Sequence, residues 1–201
     1  MTETTLPTAR TQAKADRRAV LLASAARLFA ERGFDRVSME DLGAAAGVSG
    51  PAVYRHFPSK QAVLAALLVE VSETLHDGGH RVVSEMATAA DSLRALIRFH
   101  VDFAIANPDV IRVQDRDLDS LADADQHTVR TLQRRYVELW VSVLAQLQPQ
   151  TDAAELRIRS HATFGLINST PHSAGPSPRG AIGELLEQMA WAALDAPLTP
   201  R

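Results

Sequence analysis

The 201-residue sequence predicts an all-α protein, short helices ahead of a larger helical bundle, and three observations carry the prediction. Apolar residues recur at spacings of three and four along almost the whole chain, the period that places side chains on one face of a helix. Serines stand just ahead of several of these stripes, where a hydroxyl can cap the unpaired N–H groups of a first turn. Glycine and proline gather at the breaks between stripes, where helices end.

Residues 1–15 are polar, carry Pro7 and lack apolar periodicity, so they read as a flexible basic arm with Arg10, Lys14, Arg17 and Arg18 at its end. Residues 16–60 hold three helices. Leu21, Ala25, Leu28 and Phe29 share a face of the first, which Gly33 closes. Ser38 caps the second, with Asp41 as a first-turn acid and Leu42 and Ala45 facing inward. Gly47 supplies a tight turn, Ser49 caps a third helix and Pro58 stops it.

Residues 61–201 form the larger bundle. Ser59 caps a fourth helix striped by Leu64, Leu67, Leu68, Val71 and Leu75, with Gly78 and Gly79 expected to bend or interrupt it. A fifth carries Leu93, Leu96, Ile97, His100 and Phe103 and ends near Asn107 and Pro108. A short piece over 108–116 precedes a long helix over 125–148, striped by Val129, Leu132, Tyr136, Leu139, Trp140, Val143 and Leu147. The last two helices, 152–169 and 179–195, flank the loop STPHSAGPSPRG. The penultimate helix ends in ATFGLIN, apolar nearly all round. Such a segment needs burial on every side, and a partner subunit is the usual supplier.

The stretch GVSGPAVYRHFPSK, residues 47–60, concentrates the functional signal. At 100° per residue Val53 and Phe57 fall together and must pack inward, while Pro51 and Arg55 point the opposite way and Tyr54 and His56 lie on the flanks. Proline is harmless in a first turn, which has no intrahelical acceptor for its N–H. Small residues at Ser49, Gly50 and Ala52 let the N-terminus approach a surface, and the free N–H groups there favour phosphate. With the preceding helix and the Gly47–Val48 turn, this is the pattern of a helix-turn-helix with its recognition helix in a major groove. Arg55 carries a planar fork suited to guanine O6 and N7, and Pro51 and Ala52 offer apolar contact to a thymine methyl. Tyr54, His56 and Lys60 suit phosphates, and Ser38 can add a hydroxyl or amide contact.

Residues 17–68, RRAVLLASAARLFAERGFDRVSMEDLGAAAGVSGPAVYRHFPSKQAVLAALL, resemble the DNA-binding region of the tetracycline-repressor (TetR/AcrR) family of bacterial regulators. The runs LFAERGFDRVSMEDLGAAAGVS and VYRHFPSK follow the family pattern closely. The resemblance implies an all-helical homodimer: three N-terminal helices reading a double-stranded operator, a fourth linking them to a ligand-binding bundle, and the last two helices dimerising. It places Tyr54, His56 and Lys60 at the family's phosphate-contact positions, and residues 49–52 and Arg55 where members vary to read different operators. HVDFAIANPDVIRV, RRYVELWVSVL and FGLINST resemble a branch with members that answer to acyl-CoA thioesters or other lipid-derived effectors. The function expected is a transcriptional repressor released by a small-molecule effector.

Charge distribution agrees with two unlike halves. Residues 1–60 hold nine Lys/Arg against six Asp/Glu, and residues 61–201 hold twelve against eighteen, a basic head for a polyanion on an acidic body. The effector site expected in that body has His100 to orient a ligand, with Phe103, Gln114, Tyr136, Trp140, Phe164 and Asn168 as neighbours, aromatic walls with a few polar groups.

The absence of cysteine excludes disulfides, thiolate metal sites and cysteine nucleophiles. Neither a signal-peptide core nor a run of about 18 apolar residues is present, so the expectation is a cytoplasmic protein without membrane contact. No cofactor or metal is called for. Asp115, Asp117 and Asp119 mimic the opening of a calcium loop, but Ser120 and Gln126 stand where glycine and glutamate belong. His76 and His80 have ligand spacing without a third ligand, and read as a solvated pair. Two rival functions remain in view. One is a hydrolase-like enzyme, since GVSGP is one residue from the G-x-S-x-G elbow, which requires a preceding strand; the other is an effector-independent DNA-binding protein.

Overall fold

The computed structural model describes residues 9–170 and 179–195, and every regular element among them is helical. In chain order these are α1 (Ala9–Arg32), α2 (Met39–Ala45), α3 (Gly50–Tyr54), α4 (Lys60–Ser84), α5 (Ala89–Ala106), α6 (Pro108–Asp117), a 3₁₀ turn (Leu118–Ser120), α7 (Asp123–Leu147), α8 (Ala153–Ile167) and α9 (Arg179–Asp195). Residues 1–8 of the expected arm, and the loop over 171–178, lie outside the described residues.

Three expectations are corrected. Residues 9–15 belong to α1 rather than to an arm. They carry good helix formers and gain an i,i+4 hydrogen bond from Gln12 Nε2 to Asp16 Oδ1 at 2.8 Å, so helix continues where no apolar stripe exists. Gly78 and Gly79 do not interrupt α4. Both are buried, and a Cβ on either would strike an aromatic ring, Phe99 at Gly78 and Tyr136 at Gly79, so they are crossing points of packed helices. Ser49 occupies the N-cap position of α3, but its hydroxyl makes no cap bond. Its carbonyl instead accepts from the Ala52 and Val53 N–H groups at 2.9 and 3.3 Å.

The other caps form as the sequence suggests. Ser38 and Asp41 make a reciprocal capping box at α2, and Ser59 caps α4 through Ala62 N–H; Thr88, not singled out in the sequence, caps α5 through Asp91 N–H. Gly33 and Gly47 carry the left-handed turns, with φ of 88° and 68°, that glycine adopts without strain.

Two hydrophobic cores result. The first joins α1, α2 and α3 to the start of α4 around Phe29, Leu42, Val53, Phe57 and Leu64, and also takes in Val110 and Val113 of α6 and Val129 of α7. The second joins α5, α7, α8 and α9 around Leu96, Trp140, Leu144, Ile167 and Leu194. α4 runs unbroken from one to the other: Leu64 and Leu68 lie in the first, and Leu75 and Val82 pack on the second.

Candidate nucleic-acid interface and effector site

Five residues are few for a helix, and α3 is held by what it packs against. Val53 and Phe57 are 0% and 3% exposed, each contributing about 1.5–3 kcal/mol of burial. Gly43 of α2 admits the turn: a Cβ there would lie 2.9 Å from Val48 O and 3.2 Å from Gly50 N. Anchored in this way, α3 turns Pro51, Tyr54 and Arg55 to solvent, with Ser49 exposed at its start and Gly50 and Ala52 partly so. Tyr54 is 51% exposed, an unusual outlay of aromatic surface unless something covers it.

Tyr54, Ser38 and Lys60 line one depression of about 520 Å³ beside α3. Arg36 lines it too, a cation that reading the sequence missed; its signal was a position two residues ahead of the Ser38 cap. Lys60 has a second task. Its ammonium donates to Phe34 O at 2.8 Å and Asp35 O at 3.3 Å and lies 4.4 Å from the centre of the Phe34 ring, which ties the start of α4 to the α1–α2 turn. An ammonium has three donors, so one remains for a phosphate. His56 is half-buried, and its Nδ1 has no hydrogen-bond partner. Asp41, held by Ser38 side-chain and backbone hydrogen bonds, has its carboxyl below the usual range.

In the bundle, six of the seven residues expected around an effector come together. The His100 ring stacks on Phe164 at 4.8 Å and on Tyr136 at 5.7 Å, with Trp140 edge-on at 6.1 Å and Phe103 tilted at 6.4 Å. Asn168 Oδ1 lies 3.2 Å from His100 Nε2, and the Tyr136 hydroxyl 3.3 Å from Nδ1. One tautomer fits both: Nε2–H donates to the amide oxygen and Nδ1 accepts from the phenol. Burial pulls the His100 pKa down to about 4, opposed by the Asn168 hydrogen bond, and burial pushes the Tyr136 phenol up. Gln114 lies half-buried on α6, outside these described ring contacts and hydrogen bonds. Three buried polar atoms of the bundle have no partner in hydrogen-bond geometry among the described residues, the potential donors Trp140 Nε1 and Thr163 Oγ1 and the acceptor Gln148 Oε1. The indole N–H is felt electrostatically by the Tyr136 hydroxyl, short of a hydrogen bond.

Head and bundle are joined by specific contacts as well as by α4. Arg116 of α6 donates to the carbonyls of Phe29 and Ala30 in the last turn of α1, while Asp117 grips the same guanidinium at 3.0 and 2.9 Å. A cation at a helix C-terminus is favoured by the last-turn carbonyls, and Phe29 O here accepts from the guanidinium as well as from Gly33 N–H at 2.8 Å. This pairing also occupies the middle carboxylate of the calcium-like run, and Asp119 pairs with Arg130 at 3.3 Å. Ser49 of the esterase-like run follows α2 and a turn, where an elbow would need a strand.

A three-helix head with an outward recognition helix, fixed to a larger bundle with a polar spot in its aromatic core, defines a two-part helix-turn-helix protein. Residues 21–67 match the family of bacterial regulatory proteins named for tetR, and residues 86–193 match the tetracyclin repressor-like C-terminal domain. The chain belongs to the TetR family. It is 28% identical over 135 residues to the HTH-type transcriptional repressor KstR2 of Rhodococcus jostii, spanning 67% of this chain and 66% of that one. EthR of Mycolicibacterium smegmatis and the nucleoid occlusion factor SlmA of Actinobacillus pleuropneumoniae match over shorter stretches, 37% and 43% of their own length. A TetR-family transcriptional regulator from Bordetella parapertussis superposes with a TM-score of 0.77 at 23% identity, covering 91% of this chain and 98% of its own. AibR, solved with isovaleryl coenzyme A and operator DNA, superposes with a TM-score of 0.70 at 18% identity, covering 86% and 97%. Among the described residues no helix is long and apolar enough to cross a membrane.

Proposed function

We propose that the protein is a ligand-responsive transcriptional regulator of the cytoplasm, a repressor that binds a pseudo-palindromic operator as a homodimer and leaves it when a small hydrophobic effector enters the bundle. The observation that carries this reading is the outward face of α3: Val53 and Phe57 are buried while Pro51, Tyr54 and Arg55 are exposed. Arg55 reads a base edge, Tyr54, His56 and Lys60 hold phosphates, Ser38 and Ser49–Ala52 contact the groove walls, and Arg36 adds a phosphate contact. A dimer sets two such helices about 34 Å apart, one turn of duplex. Exposed Ile158 on α8 and Leu185 and Met189 on α9 support dimerisation through the last two helices, being 69%, 56% and 45% exposed in the single chain.

The effector belongs at the His100 cluster. Trp140 Nε1 and Thr163 Oγ1 are donors buried without acceptors, a costly state that a ligand carbonyl would relieve. Neutral His100 offers no full charge to a carboxylate, so an ester, amide or thioester head is favoured. Acyl-CoA thioesters and other lipid-derived compounds meet that requirement, and isovaleryl coenzyme A bound to AibR is a relative's instance of the class. Effector coupling of about 1–3 kcal/mol is enough for a useful switch. The decisive experiment measures binding to the protein's own promoter fragment and to scrambled duplex at moderate salt, with and without candidate effectors. Preference for the promoter that an acyl-CoA abolishes is expected. Equal binding to both duplexes under all conditions sinks the proposal, and turnover of a substrate in the same screen would favour an enzyme.

A further inference from the structure

We infer that the groove between α4 and α7 is a second binding site, taking a phosphate or pyrophosphate group of a small molecule through His76, His80, Arg134 and Arg135. The groove encloses about 530 Å³, and these four residues line it together with Thr131 and Glu138. It exists because Gly79 lies between the two histidines and lets α4 approach Tyr136 and Leu139 of α7. The histidine rings stand 4.7 Å apart, one turn from each other.

The charge balance is what points to an anion. Residues 61–201 are acidic as a whole, yet the carboxylates near this groove are already engaged. Glu138 is held two-pronged by Arg157 of α8 at 2.5 and 3.0 Å, and Asp77 sits 2.8 Å from His76 Nδ1. Among the described residues Arg134 bonds only the Thr131 hydroxyl, at 3.4 Å, and Arg135 has no carboxylate partner. Two guanidinium groups without an ion-pair partner among the described residues therefore face one concavity whose nearby carboxylates are bound to Arg157 and His76, and a multivalent anion would relieve the repulsion between the two cations. Guanidinium forks match phosphate oxygens in geometry as well as charge. A metal is the poorer occupant, since no group of three suitable ligands exists among the described residues. His76 is about 24 Å along α4 from Lys60 at 1.5 Å per residue, well away from the face proposed for DNA. The site thus stands on residues that neither the operator nor the aromatic core uses.

Isothermal titration of the full chain at about 0.15 M salt tests this, with inorganic pyrophosphate, adenosine 3′,5′-bisphosphate and coenzyme A as probes. Saturable binding is expected, weakening as salt is raised. Weakening of about tenfold or more is expected in Arg134→Ala/Arg135→Ala and in His76→Asn/His80→Asn, with helicity by circular dichroism unchanged. Binding of pyrophosphate by itself identifies a free phosphate compound as the source; binding of coenzyme A alone identifies the head of a coenzyme thioester. No saturable heat with any probe overturns the inference, as does undiminished binding by both double variants. Promoter binding by the same variants without ligand should equal that of the parent. Failure of the parent on promoter DNA with pyrophosphate still bound would remove the regulatory proposal and leave this one standing.

Discussion

Arg55 and Lys60 are cations five residues apart in one segment, and the structure uses them differently. Arg55 is exposed on the outer face of α3 and serves no internal contact among the hydrogen bonds described, so Arg55→Ala should leave stability unchanged. On DNA it should cost about 1–3 kcal/mol and relax preference at one operator position, read by titrating single-base operator variants. Lys60→Ala should weaken all sequences alike and lower the salt slope by about one unit. Because its ammonium also holds the Phe34 and Asp35 carbonyls, it should cost about 1 kcal/mol of folding stability as well, measurable by urea unfolding. The first role was legible in the helical wheel; the second was not, since the two carbonyls are 25 and 26 residues away in sequence. His100 gives a pH prediction. Its folded pKa is about 4 against 6.5 unfolded, so the unfolded chain binds the extra proton between those values and stability falls as pH drops through that window. Above about 6.5 the contribution is complete, and at most about 3 kcal/mol is lost by pH 4. His100→Gln should flatten that part of the pH profile of the urea midpoint.

At the scale of elements, α2 and the start of α4 were written plainly in their capping residues, Ser38 and Ser59, because a cap acts within three residues of itself. α3 was legible as an amphipathic turn, but its short length and the idle Ser49 hydroxyl were not, since both depend on how Val53 and Phe57 seat against α1, α2 and α4. Gly78 and Gly79 show the same limit. Locally they read as helix breakers, yet in place they are the gap through which Phe99 and Tyr136 approach. Gly79→Ala should gain about 1 kcal/mol of helix propensity. A Cβ there meets the Tyr136 ring at 2.5 Å and Leu139 at 3.1 Å, and the ring is held by the His100 and Phe164 stacks. Overpacking of about 1–3 kcal/mol should therefore win, and the thermal midpoint should fall. A rise would show that the crossing is looser than its geometry.

Over the whole molecule, the two cores meet along α4 and through the Arg116 bridge to the end of α1. If effector binding shifts α6, that bridge moves the base of the recognition head. Arg116→Ala should accordingly leave effector affinity intact, by thermal shift, while shrinking the effector-induced loss of promoter binding. Replacing Ile158 and Leu185 by Glu should yield monomers in sedimentation equilibrium and weaken operator binding, because half-sites would then be filled independently; a stable dimer would move the interface elsewhere. The helical class, the order of elements, the basic head with its outward Arg55 and the family resemblance were all determined by the sequence alone, because periodicity, caps and turn residues act over a few positions of chain. Tertiary structure alone decided which cations are free and which serve the fold, that the glycine pair is a crossing, that Trp140 and Thr163 lack acceptors, and that His76 and His80 share a groove with Arg134 and Arg135. Each of these depends on partners tens of residues apart, brought together only by packing, and no local pattern encodes that distance.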